Sequence, residues 1–140
     1  MARQRFPDTR EGAGERMAAM ARALASPTQP FDEQWARELG LRCYDRRPHD
    51  PRAEQRQLAA GRATRGWKPQ LITVPTTVVY GEDDPVIRPS GARAVTRAIP
   101  GARLRTYPGM GHEIPERRWA DIAADVVDTA ARANDEAAPS

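Results

Sequence analysis

The sequence predicts an α/β fold that is incomplete as a domain: a parallel sheet of about two strands with two helices, preceded by a helical segment. Three observations lead there. First, large apolar side chains are scarce. Leu (6), Ile (5), Val (7) and Phe (2) make 20 of 140 residues, whereas Ala contributes 24. A share below about a fifth seldom fills a core, and the distribution is uneven, with six of the twenty in residues 1–70 and fourteen between Leu71 and Val127. Second, the apolar period changes near residue 70, from helical spacing to a β-branched run. Third, the second half reads strand, helix, strand, helix, an order that joins parallel strands through a crossover. Two parallel strands cannot cover both of their faces, so part of the sheet is expected to come from elsewhere.

The elements follow in order. Residues 1–10 are polar and patternless and are expected to be a disordered N-terminus. Glu15 to Ala25 reads as an Ala-rich helix with a thin stripe of Met17, Met20 and Leu24, stopped by Ser26-Pro27 and Pro30. Asp32 is a suitable N-cap for a helix reaching about Tyr44, with Trp35 and Leu39 on one face. Pro48 and Pro51 interrupt the chain, and a third helical stretch runs from Ala53 to Ala63 before Gly66 and Pro69. Thr73 to Tyr80 is rich in β-branched residues and reads as a largely buried strand. Ser90 is positioned to cap a helix over about Gly91–Ala98, ended by Pro100-Gly101. Ala102 to Tyr107 forms a second short strand, and Pro108 to Pro115 a loop around His112. Glu116 to Ala133 predicts a long helix with Trp119, Ile122, Ala123, Val126, Val127 and Ala130 on its apolar face. The domain reading is therefore a helical segment over 11–68, a sheet segment over 69–133 and a disordered tail over 134–140.

Composition excludes several classes. No run approaches the roughly 18 apolar residues of a membrane span, and the N-terminus carries no apolar signal stretch. A single cysteine, Cys43, rules out an internal disulfide framework and points to the cytoplasm; it is expected to be a small buried residue. Cys43, His49 and His112 lack zinc spacing, and neither a metal nor a cofactor is expected. Net charge is +3, with 14 basic and 9 acidic residues in 1–70 and 8 and 10 in 71–140. The bases alternate with acids rather than with aromatics, which describes solvated helix faces and not a nucleic-acid stripe. Neither nucleic acid nor membrane is expected as a partner.

Residues suited to chemistry lie in the second half. Gly81-Glu82-Asp83-Asp84-Pro85 follows the first strand, and Gly109-Met110-Gly111-His112-Glu113 follows the second. In open α/β sheets ligands gather at the carboxyl ends of strands. An Asp and a His on adjacent loops there can meet, the carboxylate fixing the tautomer of the imidazole and stabilising its charged form. Pro85 restrains Asp84, making it the first choice; Asp83 differs only in side-chain direction and is the alternative. A turn-capping role for Asp84 and a turn role for His112 are the structural competitors. The acid-then-His order matches the Ser…Asp/Glu…His order of an α/β-hydrolase sheet.

At these residues the sequence resembles the α/β-hydrolase family, over about Leu71 to Val127. The resemblance runs through Ile72-Thr-Val-Pro75-Thr, the acid loop Tyr80-Gly-Glu-Asp-Asp-Pro85, Ala98-Ile-Pro-Gly-Ala-Arg103 and the histidine loop Pro108-Gly-Met-Gly-His112. Ser26-Pro27, Phe31-Asp32-Glu33, Trp35-Ala-Arg-Glu-Leu39, Tyr44-Asp-Arg46 and Arg56-Gln-Leu-Ala-Ala60 resemble the lid of an esterase branch that includes the aclacinomycin methylesterases. The resemblance implies the C-terminal part of an α/β-hydrolase, with residues 11–68 as lid, Asp84 as triad acid and His112 as general base. Met110 and Trp35 are its candidate substrate contacts; Trp35, Trp67 and Trp119 otherwise read as packing residues.

The family's nucleophile sits on a Gly-x-Ser-x-Gly elbow. The only serines are Ser26, Ser90 and Ser140, and none has that setting. The expectation is a C-terminal fragment of a Ser-His-Asp hydrolase acting on a small to medium apolar ester, its serine supplied from a missing N-terminal half. The alternative is a non-catalytic remnant or partner-binding half that associates through an exposed sheet edge.

Overall fold

A computed structural model describes residues 5–47, 50–62, 66 and 68–137. His49 and Trp67 lie outside the described residues. The chain divides into two compact units, one of Met1–Ala23 with Pro30–Trp67 and one of Leu24–Gln29 with Lys68–Ser140.

The first unit is helical: α1 (Arg10–Leu24), α2 (Glu33–Arg46) and α3 (Pro51–Arg62). Helix α1 starts five residues before the expected Glu15, since Thr9 Oγ1 accepts the Gly12 N–H and satisfies an otherwise orphaned donor of the first turn. Asp32 caps α2 as expected, its Oδ1 accepting the Trp35 N–H at 2.8 Å. The contact between α1 and α2 differs from the expected stripes. Ala18 and Ala36 are buried, whereas Met20 and Trp35 are exposed. A Cβ on Gly40 would come within 2.8 Å of the Gly14 Cα, so the two backbones pass too closely for large side chains. The abundance of Ala and Gly in this half therefore encodes close helix packing, which an apolar-stripe reading overlooks. Cys43, expected to be buried, is exposed; it borders a groove of about 440 Å³ that Met17, Met20 and Tyr44 also line. Arg10 holds Asp45 through two bonds of 2.7 and 2.8 Å, and Arg37 pairs with Glu15 and Glu33. These pairs are solvent-exposed and add little to stability.

The second unit contains β1 (Thr77–Gly81), α4 (Pro89–Ala98), β2 (Arg103–Tyr107) and α5 (Trp119–Ala137), with short 3₁₀ turns at Pro69–Leu71 and Glu116–Arg118. The strands pair in parallel from Thr77↔Arg103 to Gly81↔Tyr107, as the strand–helix–strand order requires. Strand β1 is shorter than the expected Thr73–Tyr80, and Arg103 N donates to Thr76 O just before it begins. Pro75 has no N–H for a ladder. Ser90 is not the cap of α4. The cap is Arg88, without a side-chain bond, and Pro89 opens the helix; its fixed φ and missing N–H suit the first helical position. Helix α5 continues to Ala137, into the segment expected to be loose.

Tyr80, Ala92, Ile99 and Met110 form the small buried core of this unit. No described large side chain is fully buried. Of the face expected to be apolar and covered on α5, Trp119, Val126 and Val127 are exposed, as is Val79 on β1. Polar contacts fasten α5 to the strands instead. Tyr107 OH donates to Asp125 at 2.6 Å, and Thr77 and Thr129 share a bond of the same length. Bonding to the Asp125 carboxylate, with burial, pushes the Tyr107 hydroxyl up to about 12. Among the described residues no helix is long and apolar enough to cross a membrane.

Candidate active site

Two loops leave the carboxyl ends of β1 and β2 and are joined along their length. Glu82 N donates to Tyr107 O, Asp83 N to Met110 O, and Asp84 N turns back to Gly81 O, at 3.0–3.1 Å. The loops approach so closely that a Cβ on Gly81 would overlap the carbonyls of Met110 and Gly111. Glycine at 81 is thus what lets the acid loop lie against the histidine loop. Gly109 adopts φ +70°, a left-handed conformation that glycine takes without steric cost. Arg117 and Arg118 donate to the carbonyls of Gly109 and Pro108 at 2.5 and 2.8 Å, tying the loop to the turn before α5.

The Asp84 side chain is 6% exposed, and both its oxygens are occupied. Oδ1 accepts the amides of Val86 (2.7 Å) and Ile87 (2.8 Å). Oδ2 lies 2.8 Å from His112 Nδ1. Pro85 offers no N–H, so the first amides available to Oδ1 are those beyond it, and they fix the carboxylate plane. Burial pushes the Asp84 carboxyl up, but the amides of Ile87 and Val86 together with the His112 ring outweigh it and hold it below the ordinary carboxylate value. Asp84 therefore presents a charged oxygen to the imidazole.

His112 is 40% exposed. With Nδ1 donating to Asp84, the neutral ring carries its lone pair on Nε2 and can accept a proton there. Its backbone N–H donates to Leu24 O at 2.8 Å. Segment Leu24–Gln29 thus packs against the histidine loop within the second unit.

Asp83, the neighbouring carboxylate, faces elsewhere. Its Oδ2 accepts Ser26 Oγ at 2.5 Å and Thr28 Oγ1 at 2.6 Å. These hydroxyls hold the Asp83 carboxyl below its ordinary value against a smaller effect of burial. The sequence reading overlooked this partnership. Ser-Pro-Thr signals a turn, and Thr28 N does donate to Ser26 Oγ at 3.2 Å, but nothing local indicates a partner 57 residues away. Met110 has 3% exposure and is part of the core beneath the loops. Trp35 is on α2, in the helical unit. Among the described residues no group of three His, Cys, Asp or Glu side chains could hold a metal ion.

Residues 57–116, which include both loops, match the family described as Hydrolase_4, serine aminopeptidase, S33. Among solved structures, the chain is similar to the esterase EaEST from Exiguobacterium antarcticum, with 18% identity and a TM-score of 0.55. The similarity covers 82% of this chain and 41% of the esterase. The fold is that of part of an α/β-hydrolase. The chain spans less than half the length of the esterase it matches.

Proposed function

We propose that this chain supplies the acid and the general base of a serine-type α/β-hydrolase, and that the nucleophilic serine comes from outside residues 1–140. The single observation behind this reading is the 2.8 Å approach of Asp84 Oδ2 to His112 Nδ1 at adjacent strand ends. The family match over 57–116 and the similarity to an esterase support it. In this mechanism a serine hydroxyl attacks the ester carbonyl carbon while His112 Nε2 takes its proton. Asp84 stabilises the resulting imidazolium. Collapse of the tetrahedral intermediate expels the alcohol, which receives the proton from Nε2. Water then attacks the acyl-enzyme by the same route in reverse, releasing the acid and regenerating the serine. The helical unit acts as a lid, and the substrate is a small to medium apolar ester, such as the methyl ester of a polycyclic compound of the kind the aclacinomycin methylesterases process. Trp35 is the substrate contact this reading keeps; Met110, at 3% exposure, is packed beneath the loops and is not one.

The test is to read the DNA upstream of codon 1 in all three frames for a Gly-x-Ser-x-Gly elbow, join that segment to residues 1–140, and treat the product with a fluorophosphonate. Labelling and ester turnover that both collapse in His112→Ala are expected. Turnover indifferent to that substitution would end the assignment.

A second reading has its own support. Val79 on β1 and Val126 and Val127 on α5 are exposed, and a groove of about 340 Å³ lined by Thr77, Val79, Val126 and Ala130 runs between these elements. Apolar surface of this sort suits a chain that docks on a second polypeptide without catalysing anything. A joined protein that folds, binds the fluorophosphonate nowhere and turns over no ester would favour it.

A further inference from the structure

We infer that Asp83 is a positioning residue for His112, acting through the strap of residues 24–29; the inference rests on the reading of His112 as the general base. Asp83 makes three hydrogen bonds, and a fourth, between the strap and His112, closes the ring. The Asp83 backbone N–H donates to Met110 O at 3.0 Å, in the loop that carries His112. Its Oδ2 receives both Ser26 Oγ and Thr28 Oγ1, which themselves lie 3.0 Å apart. The strap so fastened returns to the histidine loop, where Leu24 O accepts the His112 N–H at 2.8 Å. Asp84 fixes the imidazole of His112, and Asp83, through the strap, fixes its backbone.

The chemistry favours a carboxylate at this position. One oxygen accepting two hydroxyl donors makes short, charge-assisted bonds. Ser26 is 5% exposed, so removal of Asp83 would leave its buried hydroxyl only the neutral Thr28 hydroxyl, 3.0 Å away, as an acceptor in place of a carboxylate. Geometry gives the strap little slack. A Cβ on Gly111 would overlap the backbone from Leu24 to Ser26, so strap and loop touch main chain to main chain immediately before His112. Release of Ser26 and Thr28 frees the Leu24 carbonyl to drift, and the His112 amide loses its acceptor. The imidazole can then leave the Asp84 oxygen without any change at Asp84.

The experiment uses the 140-residue chain, isotopically labelled, with two NMR readouts near neutral pH: exchange of the His112 amide and the fraction of the ring bearing its proton on Nδ1. Asp83→Ala and the double variant Ser26→Ala/Thr28→Val are each expected to speed His112 amide exchange by roughly fivefold to tenfold, the loss of about one net hydrogen bond. Both should also lower the Nδ1–H fraction, while the amides of Tyr80 and Arg105, which the parallel register places in the ladder between the strands, exchange as before. Asp83→Asn keeps an acceptor oxygen and should restore most of the wild-type behaviour. The double variant leaves Asp83 in place and serves if Asp83→Ala does not fold. His112 exchange at the wild-type rate in either variant overturns the inference, and so does an equal rise at Tyr80 and Arg105, which would mean general loosening. Asp84→Asn separates the two ideas: it should lower the Nδ1–H fraction and leave the His112 amide protected. An unchanged ring tautomer there refutes the Asp84–His112 reading while leaving the strap result to stand or fall by itself.

Discussion

Asp84 Oδ2 and His112 Nδ1 lie 2.8 Å apart although the residues are 28 positions apart in the chain. The second oxygen of the same carboxylate is held by two backbone amides. One oxygen of the group thus holds the turn and the other faces the imidazole. The amides prevent the carboxylate from rotating, and a carboxylate that cannot rotate can select one tautomer of the ring. The turn bonds of Asp84 are thus compatible with the acid role proposed for it, since they orient the oxygen that faces His112.

Replacing that oxygen by an amide tests the division of labour. In the protein joined to a nucleophile-bearing segment, Asp84→Asn should keep its fold and lose on the order of 10⁴-fold in kcat, the scale seen when a triad acid becomes an amide and the ring takes the wrong tautomer. KM should change little, because no substrate contact is removed. The check is steady-state turnover of a chromogenic ester. A loss below tenfold would mean that Asp84 does not orient the base.

Acid should weaken the second unit in a predictable direction. Burial raises the Asp84 carboxyl, but the Ile87 and Val86 amides and His112 bring it below its ordinary 3.8 in the fold, and the Ser26 and Thr28 hydroxyls do the same for Asp83. A carboxyl whose folded value lies below its unfolded value contributes stability that is fully present above the unfolded value. That contribution is lost as pH falls through the folded one. Urea midpoints should therefore fall as the pH drops below about 4, and the slope should flatten in Asp84→Asn and in Asp83→Asn. Curves parallel to wild type in both variants would show that neither carboxylate is favoured by the fold.

Much of this arrangement could be read in the sequence, and the parts that could not share a cause. The positions of the two loops were legible because each directly follows a segment that reads as a strand and carries its own turn residues. The cap at Asp32 was legible because its partner, Trp35 N, is three residues away. The Asp83–Ser26 bond was hidden because it joins residues 57 apart that carry no local signature of each other. The Gly14–Gly40 approach was hidden because helix periodicity is scored on large apolar residues, and close packing selects against them. The exposure of Val126 and Val127 was missed for a third reason. An apolar face states that something covers it, not which chain the cover belongs to.

Backbone proximity at Gly81 makes a sharper stability prediction than any core side chain here. A Cβ there overlaps two carbonyls of the histidine loop, whereas one on Gly101 meets nothing within 4 Å. Gly101→Ala should cost about 1 kcal/mol, from its φ of +70° alone. Gly81→Ala should cost more, roughly 1–3 kcal/mol as an overpacking change, and should separate the two loops so that the His112 ring loses its Nδ1–H preference. Urea unfolding gives the first quantity and the ring nitrogen spectrum the second. Equal costs at the two glycines, with the tautomer unaltered, would show that the loops need no close approach.

The exposed face of β1 and α5 should behave differently in the chain by itself and in a completed sheet. Val126 is 63% and Val127 68% exposed in the 140-residue chain. Substituting Glu at both should change its stability by no more than about 0.5 kcal/mol per site, the range for exposed positions. The same pair should reduce self-association of the chain, measured by sedimentation velocity across a concentration series, because two charges now sit on the apolar face that copies would bury. In a protein joined to a nucleophile-bearing segment whose strands cover that face, the pair should be strongly destabilising, since each carboxylate would be buried without a partner. A chain that sediments as a monomer at every concentration and tolerates both glutamates equally in the joined protein would mean the face is simply solvated. The partial α/β-hydrolase fold seen here would then need no cover at that position.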